Sequence, residues 1–387
     1  MASSPRSTVF RVTGLPVDKA ELDVKSTLTQ TIRDLLTDDE RPRVEVSVIC
    51  IPSCDESPTS SALVEFKGGN PDFLSQLDHT PLGDWQVEMG GEDINFDRHF
   101  FGFTQLYPTD PNNPVTADII AITGLDGHAY GSWRGKGNLG RMWLRDFLSK
   151  DLPNCRTMTY GYNSKLSSHG IDTIMDYGRE FLEGIKRIRY TKELRERPLF
   201  FIAHSFGGII LAHCLITAAQ TDERDHAAIA ALHKATYGIL FFATPHKGLV
   251  IDDIQQMLAG EDHPRGQLLE EIRRKSNLLV YQLANFKNLV RDLKIISFYE
   301  TQQTRRLEMN PKTGLWGRTG VYITAVDSDS ALLQLPDSVE TKIPVSADHS
   351  QIVKLDSRHA DTYKTTIRYL KQFEQDAKKV ISDRFCM

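Results

Sequence analysis

A buried-looking strand that runs without a spacer into a buried-looking helix constrains this chain of 387 residues more than any other feature. The stretch is Leu199-Phe-Phe-Ile-Ala-His-Ser-Phe-Gly-Gly-Ile-Ile-Leu-Ala-His213. A turn this sharp forces the residue at its apex, Ser205, into a strained backbone conformation and lifts its hydroxyl above the sheet. Positions two before and two after the apex must be small, because strand and helix backbones pass close there. Ala203 and Gly207 meet that demand. The pattern is Gly-x-Ser-x-Gly with Ala in first place, and the flanking apolar strand and helix give the pentapeptide its weight. An inert serine in a strand–helix turn is the bland alternative.

From Asp118 onward, continuous apolar runs alternate with amphipathic ones. Strands are predicted at 118–123, 155–160, 198–203, 236–243, 293–299 and 320–325, and helices at 139–149, 172–189, 206–219 and 265–286. That rhythm implies a mostly parallel sheet covered on both faces. With the serine turn it implies an α/β-hydrolase fold over residues 93–387.

The first 92 residues read differently. Strands at 8–15, 44–51, 62–66 and 85–89, with helices carrying Leu28, Ile32, Leu35 and Leu36 and spanning 72–77, form a βαββαβ order. That is a small α+β ferredoxin-like plait, similar in outline to RNA-recognition domains. Such domains stack bases on aromatics of the two central strands. Here Arg11, Ser61 and Leu63 stand at those positions, so the domain is expected not to bind RNA, and contact with protein or autoinhibition is the expected role. A polar segment, Tyr107–Pro114, looks like a linker or long loop.

If Ser205 is a nucleophile, acyl-transfer chemistry asks for a base, an acid and two N–H donors. In this fold the chain order is Ser, acid, His. His349 and His359 lie beyond the last predicted strand, and His349, in a polar loop, is the better base. Glu300 ends the strand after 236–243 and leads as the acid, with Asp327 as runner-up; Asp348 adjoins His349 too closely. The oxyanion donors are expected from Phe206 and from Leu125, in the glycine-rich turn Thr123-Gly-Leu-Asp-Gly-His128. His204 is read as a locally packed residue and His246 as one that shapes the pocket. Leu249, Val250, Ile251, Ile254, Met257 and Leu258 suit either a lid or plain helix packing.

Bulk composition narrows the partners. Forty-six basic against 51 acidic residues leave a formal charge of −5, which offers no field for nucleic acid or an anionic membrane. No apolar run reaches membrane-spanning length, and the first residues carry no apolar signal region. Five scattered cysteines, with Cys50 and Cys54 the only close pair, fit a reducing, cytoplasmic setting; an organelle or peripheral membrane contact stays open. No metal or organic cofactor is expected.

Eight segments in order resemble a fungal lipase-like family, SesB-like and related to DUF676 and SERAC-type hydrolases. They are 100–106, Thr123–His128, 143–148, Thr159–Tyr162, Ala203–Gly208, Phe242–Gly248, Phe298–Glu300 and Ala347–His349. The family includes N-terminal effector domains of fungal NOD-like receptors. The resemblance implies a serine esterase or lipase acting on acyl esters, with lipids as the candidate substrates, in cell death or immunity. Two departures stand out: Thr123 replaces the usual histidine before the oxyanion glycine, and no Gly-x-x-x-x-Gly-Lys-Ser/Thr segment occurs. A hydrolase-fold scaffold without turnover is the alternative.

Overall fold

The computed structural model describes residues 8–57, 59–258, 263–309 and 316–386. Seven strands build the main sheet. They are β6 (Gly102–Gln105), β7 (Ala117–Ile122), β8 (Cys155–Gly161), β9 (Leu199–His204), β10 (Thr236–Phe242), β11 (Lys294–Glu300) and β14 (Glu340–Val345), in the order β14-β11-β10-β9-β7-β8-β6. Only β6 runs antiparallel to its neighbour. β7, β8, β9 and β10 are buried at every residue, as strands covered on both faces must be. The helices Ile174–Ile188 and Phe206–Gln220 pack on one face, and the C-terminal helix Asp361–Cys386 packs on the other through Leu370, Phe373 and Ala377. This is the α/β-hydrolase fold.

Three expectations need correction. The run 320–325 is not a sheet strand: β12 (Thr304–Met309) and β13 (Trp316–Ile323) form a separate antiparallel hairpin. The seventh sheet strand is β14, whose Glu-Thr-Lys-Ile-Pro-Val sequence hides it. A proline is tolerated there because β14 is an edge. The helix expected at 265–286 is two helices, Gly266–Ile272 and Asn277–Leu289, parted by Lys275 at φ 64° and by Ser276, which caps the second. The helix expected at 139–149 is two single turns, 143–146 and 148–151, with Gly140 at φ 50° before them.

The N-terminal sheet has five strands: β1 (Thr8–Pro16), β2 (Glu45–Ile51), β3 (Thr59–Lys67), β4 (Asp84–Met89) and β5 (Glu92–Asp97), ordered β2-β3-β1-β5-β4. β5 takes the place beside β1 that the sequence assigned to 85–89, and β4 is added outside it. Gly90 and Gly91, at φ 65° and 90°, reverse the chain between them. Acidic residues alternating with Ile94 and Phe96 disguise β5 as a loop. The sheet therefore runs through Asp97, past the division drawn at residue 92.

Side-chain alternation gives this sheet two faces. Phe10, Val12, Ala62, Val64, Ile94 and Phe96 meet the helix Glu21–Leu35 in their own core. The opposite face, with Val9, Leu63 and Ile51, joins the core of the main sheet. Arg11 crosses the boundary: Nε donates to Asp97 at 2.7 Å, and Nη1 to the Phe101 carbonyl and Thr104 Oγ1, both at 2.8 Å. Glu65 faces Arg134 at 3.3 Å. The surface that RNA binders turn to bases is here turned onto the chain's own hydrolase unit.

At the far end of the sheet, Asp118 is fully buried among three arginines. Arg156 grips it twice, at 2.9 and 2.8 Å, and Arg189 and Arg197 donate at 2.6 and 3.2 Å. Burial alone would raise the carboxyl pKa; the charges of Arg156 and Arg189 outweigh it and hold Asp118 below its ordinary value. Replacement by asparagine leaves buried guanidinium groups without a counter-charge. Asp118→Asn is expected to lower stability by about 3–5 kcal/mol, read as a fall in the urea midpoint with unchanged slope.

Candidate active site

Ser205 sits at φ 50°, ψ −125°, between the end of β9 and the helix Phe206–Gln220. Tight packing dictates the flanking residues. A methyl on Gly207 would lie 2.4 Å from the Thr123 carbonyl and 2.6 Å from that of Ile122. A methyl on Gly124 would lie 2.8 Å from Ser205 Cβ. The glycines let the β7 loop press directly against the nucleophile elbow.

His349 arrives from the loop after β14, with Nε2 2.8 Å from Ser205 Oγ. Its Nδ1 stands 3.3 Å from Glu300 Oε2, and neither of those two atoms has another hydrogen-bond partner. Glu300 ends β11 and pairs in register with Val345 at the end of β14, so neighbouring strands deliver acid and histidine side by side. The other Glu300 oxygen accepts the Val326 N–H at 2.8 Å. The runner-up Asp327 is not in this group: it caps the turn Ser328–Ala331 and pairs with Arg274. Asp348 folds its carboxylate back onto the Ser350 and Gln351 N–H groups. His359 is exposed.

The loop carrying His349 is held at two points. Its N–H donates to Thr304 Oγ1 at 3.1 Å, and its carbonyl lies 3.0 Å from His204 Nε2. A carbonyl only accepts, so His204 carries its proton on Nε2. Sequence reasoning passed over this role; a histidine directly before the nucleophile was the available signal.

Leu125 and Phe206 flank Ser205 from the β7 loop and the helix start. Among the described residues neither N–H donates to an acceptor in the chain. Side chains pin the β7 loop. Tyr162 Oη donates to the Thr123 carbonyl, Thr123 Oγ1 to Ser132 Oγ, and Ser164 Oγ to the Gly127 carbonyl, each at 2.8 Å. Thr123 thus ties down the loop from the position where the resembled family has histidine.

The segment raised as a lid is packed: Ile251 and Ile254 belong to the main core, and Asp253 accepts the Leu307 N–H at 3.0 Å. Cys50 and Cys54 form no metal-ligand group among the described residues. Asp84, Asp97 and His99 do cluster, but Arg11 and the Phe100 and Phe101 N–H groups already occupy the inner atoms. No helix among the described residues is long and apolar enough to cross a membrane.

No family model matches the chain. It is 28% identical to Protein SERAC1 of Danio rerio over 286 residues, 69% of this chain and 40% of that protein. It is 23% identical to Protein SERAC1 of Homo sapiens over 279 residues, 67% of this chain and 39% of that protein. The chain spans about two-fifths of the length of these curated relatives. Among solved structures, the mature lipase BlEst2 of Bacillus licheniformis overlays at TM-score 0.44 and 15% identity, covering 70% of this chain and 97% of that one. Phospholipase PlaB of Legionella pneumophila overlays at 0.41 and 13%, covering 68% and 64%.

Two buried histidines and a half-buried one make the fold acid-sensitive. Burial, with His349 beside it, pushes His204 down to about 3, and burial pushes His246 to about 3 and His128 to about 4. An unfolded histidine titrates near ~6.5. Below that pH the unfolded chain takes up protons that the folded chain refuses, so stability falls as pH drops toward the folded values. Each histidine contributes about 1.4 kcal/mol per pH unit in that window. His246 Nε2 has no partner and the ring packs between Phe241 and Phe286. His246→Phe is therefore expected to flatten the decline in urea midpoint between pH 6.5 and pH 5 by the share of that one histidine.

Proposed function

We propose that the chain is a serine hydrolase that cleaves carboxylic acyl esters through Ser205, His349 and Glu300. The observation that carries this reading is the 2.8 Å contact between His349 Nε2 and a serine hydroxyl held on a left-handed elbow. In the reaction, Ser205 Oγ bonds to the ester carbonyl carbon while its proton passes to His349 Nε2. Glu300, facing Nδ1, orients the ring and stabilises its charge. The free N–H groups of Leu125 and Phe206 receive the oxyanion, aided by the helix start at Phe206. Collapse breaks the C–O bond, and the leaving alcohol takes the proton from His349. Water then attacks the acyl-serine by the same proton path and releases the acid. The division proposed at 92/93 then moves to the end of β5 at Asp97, giving two units that share one packed face. Lipid esters as substrate, and a fungal cell-death or immune setting, follow from the motif resemblance.

Ser205 is only 6% exposed. That favours a second reading, a hydrolase fold that turns over little until its site is opened. One comparison separates the two. A fluorophosphonate probe is expected to label the wild type and neither Ser205→Ala nor His349→Ala. Glu300→Gln is expected to cut kcat by on the order of 10⁴ on a short-chain ester, as loss of a triad carboxylate does elsewhere. Folded wild-type protein that resists the probe supports the second reading.

A further inference from the structure

Glu300 ends β11 and the catalytic-loop histidine follows β14; between them the chain makes the hairpin β12–β13, which lies on no sheet edge. Its root is tied to the site, because Thr304 Oγ1 accepts the His349 N–H and the Leu307 N–H reaches Asp253. Apolar side chains stand exposed along the hairpin, Met309 toward the tip and Val321 and Tyr322 beside the root, where Tyr322 pairs with Arg305. Met309 is 54% exposed, Val321 64% and Tyr322 57%. Three arginines stand with them against one acid, Glu308. Arg305 donates to the Thr319 and Gly320 carbonyls and lies over the Tyr322 ring; Arg318 donates to the Arg305 carbonyl. None of Arg305, Arg306 and Arg318 has a carboxylate partner among the described residues. A local positive island is therefore mounted on a chain of net charge −5.

The other loops at this edge add to the pattern. β7, β8, β9 and β11 are parallel, so the segments after them leave the sheet on the same side as Ser205. Leu139, in the loop after β7, is 66% exposed, and Ile171, in the loop after β8, is 76% exposed. Single apolar side chains raised on separate loops do not make a groove that a folded partner fills. They do suit a surface that deforms around each one.

From this we propose that the edge of the molecule bearing Ser205 docks on an anionic lipid surface, with the β12–β13 hairpin as its main contact. The proposal rests on the ester-hydrolase reading for its purpose but not for its test. Val321 and Tyr322 enter the headgroup region, and Arg305, Arg306 and Arg318 meet lipid phosphates. A second copy fits poorly, because a symmetric contact through this patch sets guanidinium against guanidinium.

The test is co-sedimentation of the full chain with vesicles of phosphatidylcholine alone or with one-third phosphatidylglycerol. Binding is expected on the anionic vesicles, weaker on the neutral ones and weakened by salt. Val321→Asp with Tyr322→Ser, and separately Arg306→Glu, are expected to weaken it by about tenfold or more. Both should keep the thermal midpoint and the turnover of a water-soluble acetate ester. Two results overturn the proposal: no wild-type binding to anionic vesicles, or binding that both variants leave intact. So does a dimer, seen by sedimentation velocity, that the variants dissociate without any vesicle binding. Hairpin-dependent binding without ester turnover sinks the hydrolase reading and leaves the docking surface standing; turnover without binding does the reverse.

Discussion

The closeness of Gly207 to the carbonyls of Ile122 and Thr123 governs most of what surrounds Ser205. No side chain fits in that gap, so the helix Phe206–Gln220 can lie directly on the end of β7. The loop leaving β7 is then forced against the serine through Gly124. With loop and helix this close, the Leu125 and Phe206 N–H groups donate to no acceptor among the described residues. Strain at φ 50° is the local cost, and burial of all of β9 and of helix residues 206–212 offsets it. A steric constraint between backbones therefore sets up the electrostatics of the site.

Sequence and structure group the same residues where a single physical demand selects the residue. Ser205, Gly207, His349 and Glu300 were legible because chain order and strand ends leave few choices, and the structure brings all of them together. Sequence reading failed where tertiary context overrides local pattern. β14 carries a proline and two charged residues, and only its edge position makes it a strand. β5 reads as polar because one of its faces holds Asp97 for Arg11. Asp327 ends an apolar run that resembles a sheet strand, yet that run pairs with β12 instead. The hold of His204 and Thr304 on the His349 loop lies between residues more than 40 positions apart, a distance no periodicity reports.

The N-terminal sheet shows how one substitution pattern redirects a surface. Arg11, Ser61 and Leu63 replace stacking platforms with one bridging cation, one small polar group and one apolar anchor. Leu63 is buried against the hydrolase core, and Arg11 reaches Thr104 on β6. Between the two units lies a cleft of about 260 Å³ lined by Thr13, Thr59 and Ser61 on one side and Phe103 and Gln105 on the other. The two cores meet through this face, so the first unit serves as a wall of the second.

Glu300 and Val345 stand in register on adjacent parallel strands, with the Thr301 N–H donating to the Val345 carbonyl at 3.0 Å, and that pairing has a consequence for the chain between them. Sheet spacing of about 4.8 Å, not the length of chain between them, sets how far the carboxylate stands from the histidine loop. The β12–β13 hairpin beyond Thr304 is therefore a cassette, ending short of Val326, whose N–H holds the Glu300 carboxylate. Its contents can be lengthened, shortened or exchanged while the 3.3 Å between Glu300 and His349 persists. Thr304 marks where exchange must begin, since it is the first inserted residue that touches the histidine loop. Lineages built on this frame are free to diversify what they meet without rebuilding what they do.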